Sequence, residues 1–194
     1  MKILIATNNK HKVEEISAIF KGTGAELVSP KDIGLHVDVE EDGTTFAENA
    51  LKKAEGFRKA SGLAVIADDS GLTVEALGGD PGVYSARYGG EGLDDKGRTA
   101  LLLKNLGDNK NRRAAFVCSI AMLLENGEKI MAEGRCEGEI AYAPSGENGF
   151  GYDPVFIPKG YEKSFAELSG EEKNKISHRG LALAELKKKI EKIL

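Results

Sequence analysis

Apolar runs of strand length and apolar stripes of helical period take turns along this chain. Residues 1–6 (MKILIA) read as a strand, and Val13, Ile16 and Phe20 share one helical face beyond the polar link TNNKHK at 7–12. Residues 26–29 suggest a second strand closed by Pro30, and an irregular stretch follows over 31–43. Phe46, Ala50, Ala54 and Phe57 mark one face of a helix that Thr45 and Glu48 open as a capping box and Gly62 ends. The run 63–67 (LAVIA) reads as a buried strand that stops at Asp68, with apolar character resuming at Leu72. After a glycine-dense stretch around Pro81, a helix is expected to run to Leu106 and end at Gly107. A long strand-like run over 112–124 and a returning segment over 129–140 flank the turn pair Asn126-Gly127 and predict a hairpin, the scaffold of a mixed sheet. A short strand at 155–157 and a last helix capped by Ser177, with a stripe of Leu183, Leu186, Ile190 and Ile193, complete the pattern.

Composition narrows the class. A chain of 194 residues suffices for one sizeable core, and no repeat or linker divides it, so one domain is expected. With 41% hydrophobic and 30% charged residues, it has the balance of a folded protein rather than a disordered one. A net charge of -4, from 27 basic and 31 acidic residues, argues against a broad nucleic-acid-binding surface. Any phosphate site must then be a local concentration of Lys and Arg. Cys118 and Cys136 lack metal-ligand spacing and read as free thiols of a reducing compartment. The longest apolar stretches are strand-length and interrupted, so no membrane association is expected and the expected location is cytoplasmic.

Several polar segments carry candidate chemistry. Asp68 and Asp69 place two carboxylates beside a core, which demands compensation. A solvated turn supplies it in one reading, and a divalent cation held by hard oxygens in another. Thr7–Lys12 joins a strand to a helix start, where backbone N–H groups favour anions. The alternative is an Asn-rich turn with an N-cap and two solvated lysines, but Lys10 and Lys12 oppose the helix dipole there unless something anionic is close. The acidic run Asp38, Glu40, Glu41 and Asp42 is either solvated or brings another carboxylate to the site. Lys53 borders the apolar stripe of its helix, together with Asn49; alone it reads as a snorkelling lysine. The segment GLDDKGRT at 92–99 is a near miss for a phosphate-binding P-loop, with Arg98 in the lysine's place and two acids inside the would-be cradle. Phe150, Gly151, Tyr152 and Asp153 mix backbone freedom, aromatic faces and an acid. His178 and Arg179 open the last helix, with Lys173 and Lys175 just upstream.

Taken together, TNNKHK, EEDGTTFAENA, ADDSGL, GGDPGVYSARY, NGFGYDPVF and EEKNKISHR resemble, in that order, the inosine triphosphate pyrophosphatases, or Ham1-like family, over essentially the whole chain. The resemblance implies an elongated, two-lobed α/β domain over 1–194, built on a long mixed β-sheet with a nucleotide cleft between the lobes. It implies a homodimer that uses Mg²⁺ to hydrolyse ITP, dITP and XTP to the monophosphate and pyrophosphate. By the same resemblance, Thr7, Asn8, Asn9, Lys10, His11 and Lys12 are similar to a phosphate-binding turn. Glu41, Asp68 and Asp69 look like the metal and water-activating carboxylates, with Asp69 as general base. Lys53 and Ser70 look like further substrate contacts, and Phe150, Gly151, Tyr152, Asp153, Lys173, His178 and Arg179 like the nucleoside pocket. Asn8 stands where some members carry glycine, which puts the geometry of that turn in question. No Ser-His-acid or Cys-His arrangement is visible, so direct attack by water is expected. A phosphatase releasing inorganic phosphate and a nucleotide-sensing protein are the alternative classes.

Overall fold

A computed structural model describes residues 1–191. In chain order the main elements are β1 (Lys2–Ile5), α1 (Lys10–Ile19), β2 (Glu26–Val28), α2 (Phe46–Ser61), β3 (Ala64–Val74), α3 (Asp95–Leu106), β4 (Arg113–Leu123), β5 (Lys129–Ile140), β6 (Phe156–Pro158), α4 (Gly170–Ile176) and α5 (His178–Ile190). One α/β sheet of six strands runs in the order β2-β1-β3-β4-β5-β6. It is mixed: β1 is parallel to β2 and β3, and β6 is antiparallel to β5.

The chain gathers into two compact units that interleave in sequence. The first holds Met1–Asp69, Cys118–Gly134 and the segment from Gly180; the second holds Ser70–Val117 and Arg135–Arg179. The divisions therefore fall inside β3, β4, β5 and the first turn of α5.

In the first unit, strand alternation sorts the apolar side chains onto two faces. Ile3, Ile5, Ala64 and Ile66 pack with Ile16 and Phe20 of α1 and with Leu183, Leu186 and Ile190 of α5. Leu4, Ala6, Val65 and Ala67 pack instead with Ala50, Ala54 and Phe57 of α2. With helices on both faces, β1 and the start of β3 read as continuous apolar runs rather than alternating ones. Ile193, the last member of the expected α5 stripe, lies outside the described residues.

The second unit has a core of Leu72, Val74, Leu102, Leu106, Ile140 and Val155 around three rings. Phe116 meets Phe156 edge-on at 4.7 Å and stacks on Phe165 at 5.8 Å, geometries that aromatic pairs favour.

Three expectations change. β3 does not stop at Asp68 but continues for 11 residues through Asp69, Ser70 and Gly71 to Val74. It is an interior strand, with β1 alongside Ala64–Ile66 and β4 as its other neighbour, and its place in the sheet carries the backbone on, extended, past the point where local polarity suggested a turn. The capping box of α2 is half formed: Thr45 caps the Glu48 N–H, but the Glu48 carboxylate reaches back to the N–H and hydroxyl of Thr44. Ahead of the last helix stands a separate short helix, α4, which Ser169 and Glu172 open with a complete capping box and which ends at Ser177.

Candidate active site

Consecutive residues of a strand face opposite sides of its sheet, and this decides the fate of the two adjacent acids. Asp68 follows Ile66 onto the α1 side, where Lys12 Nζ lies 2.8 Å from its carboxylate. Asp68 is 2% exposed, so this cation compensates a charge that is otherwise expensive to bury. Asp69 follows Ala67 onto the α2 side, where Asn49 Nδ2 donates to its Oδ2 at 3.1 Å. The two neighbours in sequence are thus not a matched chelating pair.

The α2 side gathers the remaining first-unit candidates. Lys53 Nζ is 2.9 Å from Glu41 and donates to the Asp68 carbonyl at 3.1 Å, so it is held in place rather than snorkelling. Glu41 therefore leaves the solvated run, and Asp42 of that run pairs with Lys52. Burial pushes the Asp69 carboxyl above its ordinary value and the Glu41 charge adds to this; the Asn49 bond and the Lys53 and Lys12 charges oppose it. A raised carboxyl makes Asp69 a stronger base than an ordinary aspartate.

The turn before α1 carries the N-cap that is one of its two readings. Asn9 caps the helix and accepts from the N–H groups of His11 at 3.0 Å and Lys12 at 3.4 Å, so those two donors already have a side-chain acceptor. Thr7 Oγ1 accepts from the Asn9 N–H. An anion here would rely on the Lys10 and Lys12 side chains more than on these amides. Among the described residues only glycines have positive φ, so Asn8 needs none of glycine's freedom.

The second-unit candidates converge on one cavity of about 160 Å³. Ser70, Phe150, Gly151, Tyr152, Asp153, Lys173, His178 and Arg179 all line it. Asp153, 3% exposed, accepts from Lys173 Nζ at 2.5 Å and from the Phe150 N–H at 2.9 Å. Burial drives its carboxyl up and Lys173 pulls it down, with a net rise. Gly149, at φ +75°, passes so close that a Cβ there would lie 2.0 Å from the Asp153 carboxylate. Lys173 Nζ stands 5.1 Å from the centre of the Phe150 ring and Arg179 stands 6.0 Å from it. Arg179 also donates to Ser70 Oγ at 3.3 Å. The His178 ring stacks on Phe116 at 4.7 Å and 13°. Tyr152 is buried with its hydroxyl donating to the Ser85 carbonyl, so the flat face open to a ligand is that of Phe150, 40% exposed.

Among the cavity and cluster residues that were not candidates are Phe116, Asp95, Arg98 and Asn49. Phe116 was only one apolar position in a strand. Asp95, which accepts from the Gly151 N–H, and Arg98 lay in the discarded P-loop near miss. Asn49 carried a usable signal: asparagine is a poor helix former, and this one is 1% exposed inside α2. A wider groove of about 720 Å³ in the second unit holds none of the candidates, and its Arg113 pairs with Glu75.

A family model described as the Ham1 family matches residues 3–189. The chain belongs to the Ham1 family. It is 50% identical to a dITP/XTP pyrophosphatase of Clostridium perfringens, across 100% of this chain and 98% of that protein. The Ham1 protein of Staphylococcus aureus superposes with a TM-score of 0.93 at 44% identity, over 100% of both chains. A nucleoside-triphosphatase, dITP/XTP pyrophosphatase of Mycobacterium abscessus, gives 0.81 at 49% identity over 96% of this chain and 97% of that one. No helix among the described residues of this Ham1 chain is long and apolar enough to cross a membrane.

Magnesium sites use one or two carboxylates together with substrate phosphate oxygens. Among the described residues no three His, Cys, Asp or Glu side chains converge as a cage. Glu41 and Asp69, close enough for one charge to raise the other's carboxyl, have the donor chemistry for such a shared ion. The residues fit a cation completed by its substrate.

Proposed function

We propose that this chain hydrolyses deaminated purine nucleoside triphosphates, dITP, ITP and XTP, to the monophosphate and pyrophosphate. The observation that carries the reading is the division of labour along β3. Asp68 and Asp69 belong to a lysine–carboxylate cluster, and the next residue, Ser70, belongs to the donor-lined aromatic cavity. The full-length relatives named dITP/XTP pyrophosphatase support the same substrate class.

Lys12 and Lys53, with the exposed Lys10, offset phosphate charge, and Asp69 takes the proton of an attacking water. Glu41 and Asp69 would hold Mg²⁺, which supplies charge neutralisation at the phosphate oxygens. Asp68 serves by holding Lys12. In the cavity, Phe150 offers a stacking face, and Lys173, His178 and Arg179 offer donors to a 6-oxo group. Adenine presents a 6-amino donor in its place and leaves donor facing donor, a mismatch that a polar site rejects strongly. Guanine keeps the 6-oxo group, so its exclusion falls to the 2-amino side. As further parts of this reading, the enzyme works as a homodimer in the cytoplasm.

A panel of nucleoside triphosphates with and without Mg²⁺, products resolved by chromatography, tests it. The expected result is pyrophosphate from dITP, ITP and XTP far ahead of GTP and ATP, abolished by a chelator. Inorganic phosphate as first product identifies a phosphatase and overturns the proposal. Sedimentation of the pure protein reads the dimer.

A further inference from the structure

Asn49 lies inside α2 with 1% of its surface exposed, where its polar amide must be satisfied by protein. Its Oδ1 accepts from the Gly43 N–H at 2.8 Å, and its Nδ2 donates to Asp69 Oδ2 at 3.1 Å. A backbone N–H can only donate, so the oxygen of the amide has to face Gly43. That leaves the NH₂ side, and only that side, towards Asp69. A flipped amide would set N–H against N–H and oxygen against carboxylate at once. The contact is packed as well as polar: a Cβ on Gly43 would come within 2.6 Å of the Asn49 oxygen, so the loop following Glu41 approaches closely only because residue 43 is glycine.

We infer that Asn49 is a positioning residue for Asp69, its amide fixed by the Gly43 backbone so that one carboxylate oxygen is held and the carboxylate plane is set. The inference rests on the proposed reaction for its kinetic meaning, since Asp69 is there the proton acceptor. Holding a reacting group by a partner whose own orientation is locked is how such geometry is kept within tight limits. The same amide ties the segment that carries Glu41 to the strand that carries Asp69, linking the two carboxylates through one side chain.

Two readouts test this. In protein with ¹³C-labelled aspartate, the Asp69 carboxylate resonance is assigned by its loss in Asp69→Asn, and it should move in Asn49→Ala. An unmoved resonance overturns the inference, whatever the substrate. The second is a double-mutant cycle on dITP hydrolysis. Asn49→Ala should lower kcat by roughly 10- to 100-fold, the range seen when an orienting partner is lost, with KM within about threefold. Added to Asp69→Asn it should lower kcat no further. Additive losses, or a KM rise with kcat kept, mark a merely structural asparagine and overturn the inference. Should Asn49→Ala fail to fold, Asn49→Asp, which keeps the acceptor for Gly43, is read in the same cycle and the same spectrum. A wild-type protein inert towards dITP and XTP sinks the proposed function, and the spectrum still decides the role of Asn49.

Discussion

The two candidate regions handle positive charge in opposite ways. In the first unit each held cation has its own carboxylate: Lys12 with Asp68, Lys53 with Glu41. In the second, Lys173 pairs with the buried Asp153 and lies over the faces of Phe150 and Phe165, Arg179 lies over Phe150, and the His178 ring stacks on Phe116. Ion pairs neutralise charge in place, which suits a region that must exchange carboxylates for phosphates. Aromatic stacking orients a ring or guanidinium through its face and leaves hydrogen bonding to its edge, which suits a region that must read a neutral base. On the proposed reading, charge handling falls to one unit and base recognition to the other.

Breaking an ion pair should be the most costly change. Lys12→Ala strands Asp68 in the core and should cost about 3 kcal/mol, whereas Lys10→Ala, at an exposed position, should cost about 0.5 kcal/mol or less. Thermal unfolding of both variants checks this, and equal melting points would mean that the pair contributes nothing. Next in size is Asp69→Asn, which keeps shape but cannot take a proton and should lower kcat on dITP by roughly 10²-fold. Retained turnover at saturating Mg²⁺ would remove Asp69 from that role.

Arg179→Ala sharpens the contrast in recognition. It should lower kcat/KM for dITP at least about tenfold more than for residual ATP turnover, since one lost base contact is worth on the order of 1–3 kcal/mol. Equal losses on both substrates would move Arg179 to the phosphates or the fold. The smallest effect is in stability against pH. The Asp69 carboxyl is raised in the folded state, so the folded protein binds its proton more tightly than the unfolded chain. Stability is then full below the ordinary value of 3.8 and declines as pH rises through the folded value. Asp69→Asn escapes that decline: it should melt above wild type at pH 7, with the gap closing as the pH falls below 3.8, as thermal unfolding at the two pH values reads.

Most of the architecture was legible in the chain because it follows from periodicity and local signals. The Asn126-Gly127 turn joins two strands where the alternating pattern requires it, and Gly62 and Gly107 end their helices. The candidate side chains were legible as types, through the order of six short motifs. Where local pattern and tertiary structure disagreed, the tertiary structure prevailed: Asp68–Gly71 reads as a break, but β3 runs through it as one extended strand inside the sheet. That extension then separates Asp68 from Asp69 onto opposite faces, which adjacency in sequence conceals. Nor could local sequence reveal that Phe116, remote in the chain, carries His178. The chemistry was written in residue types and their order; which groups meet was decided by long-range packing, because hydrogen bonds and stacking act between neighbours in space.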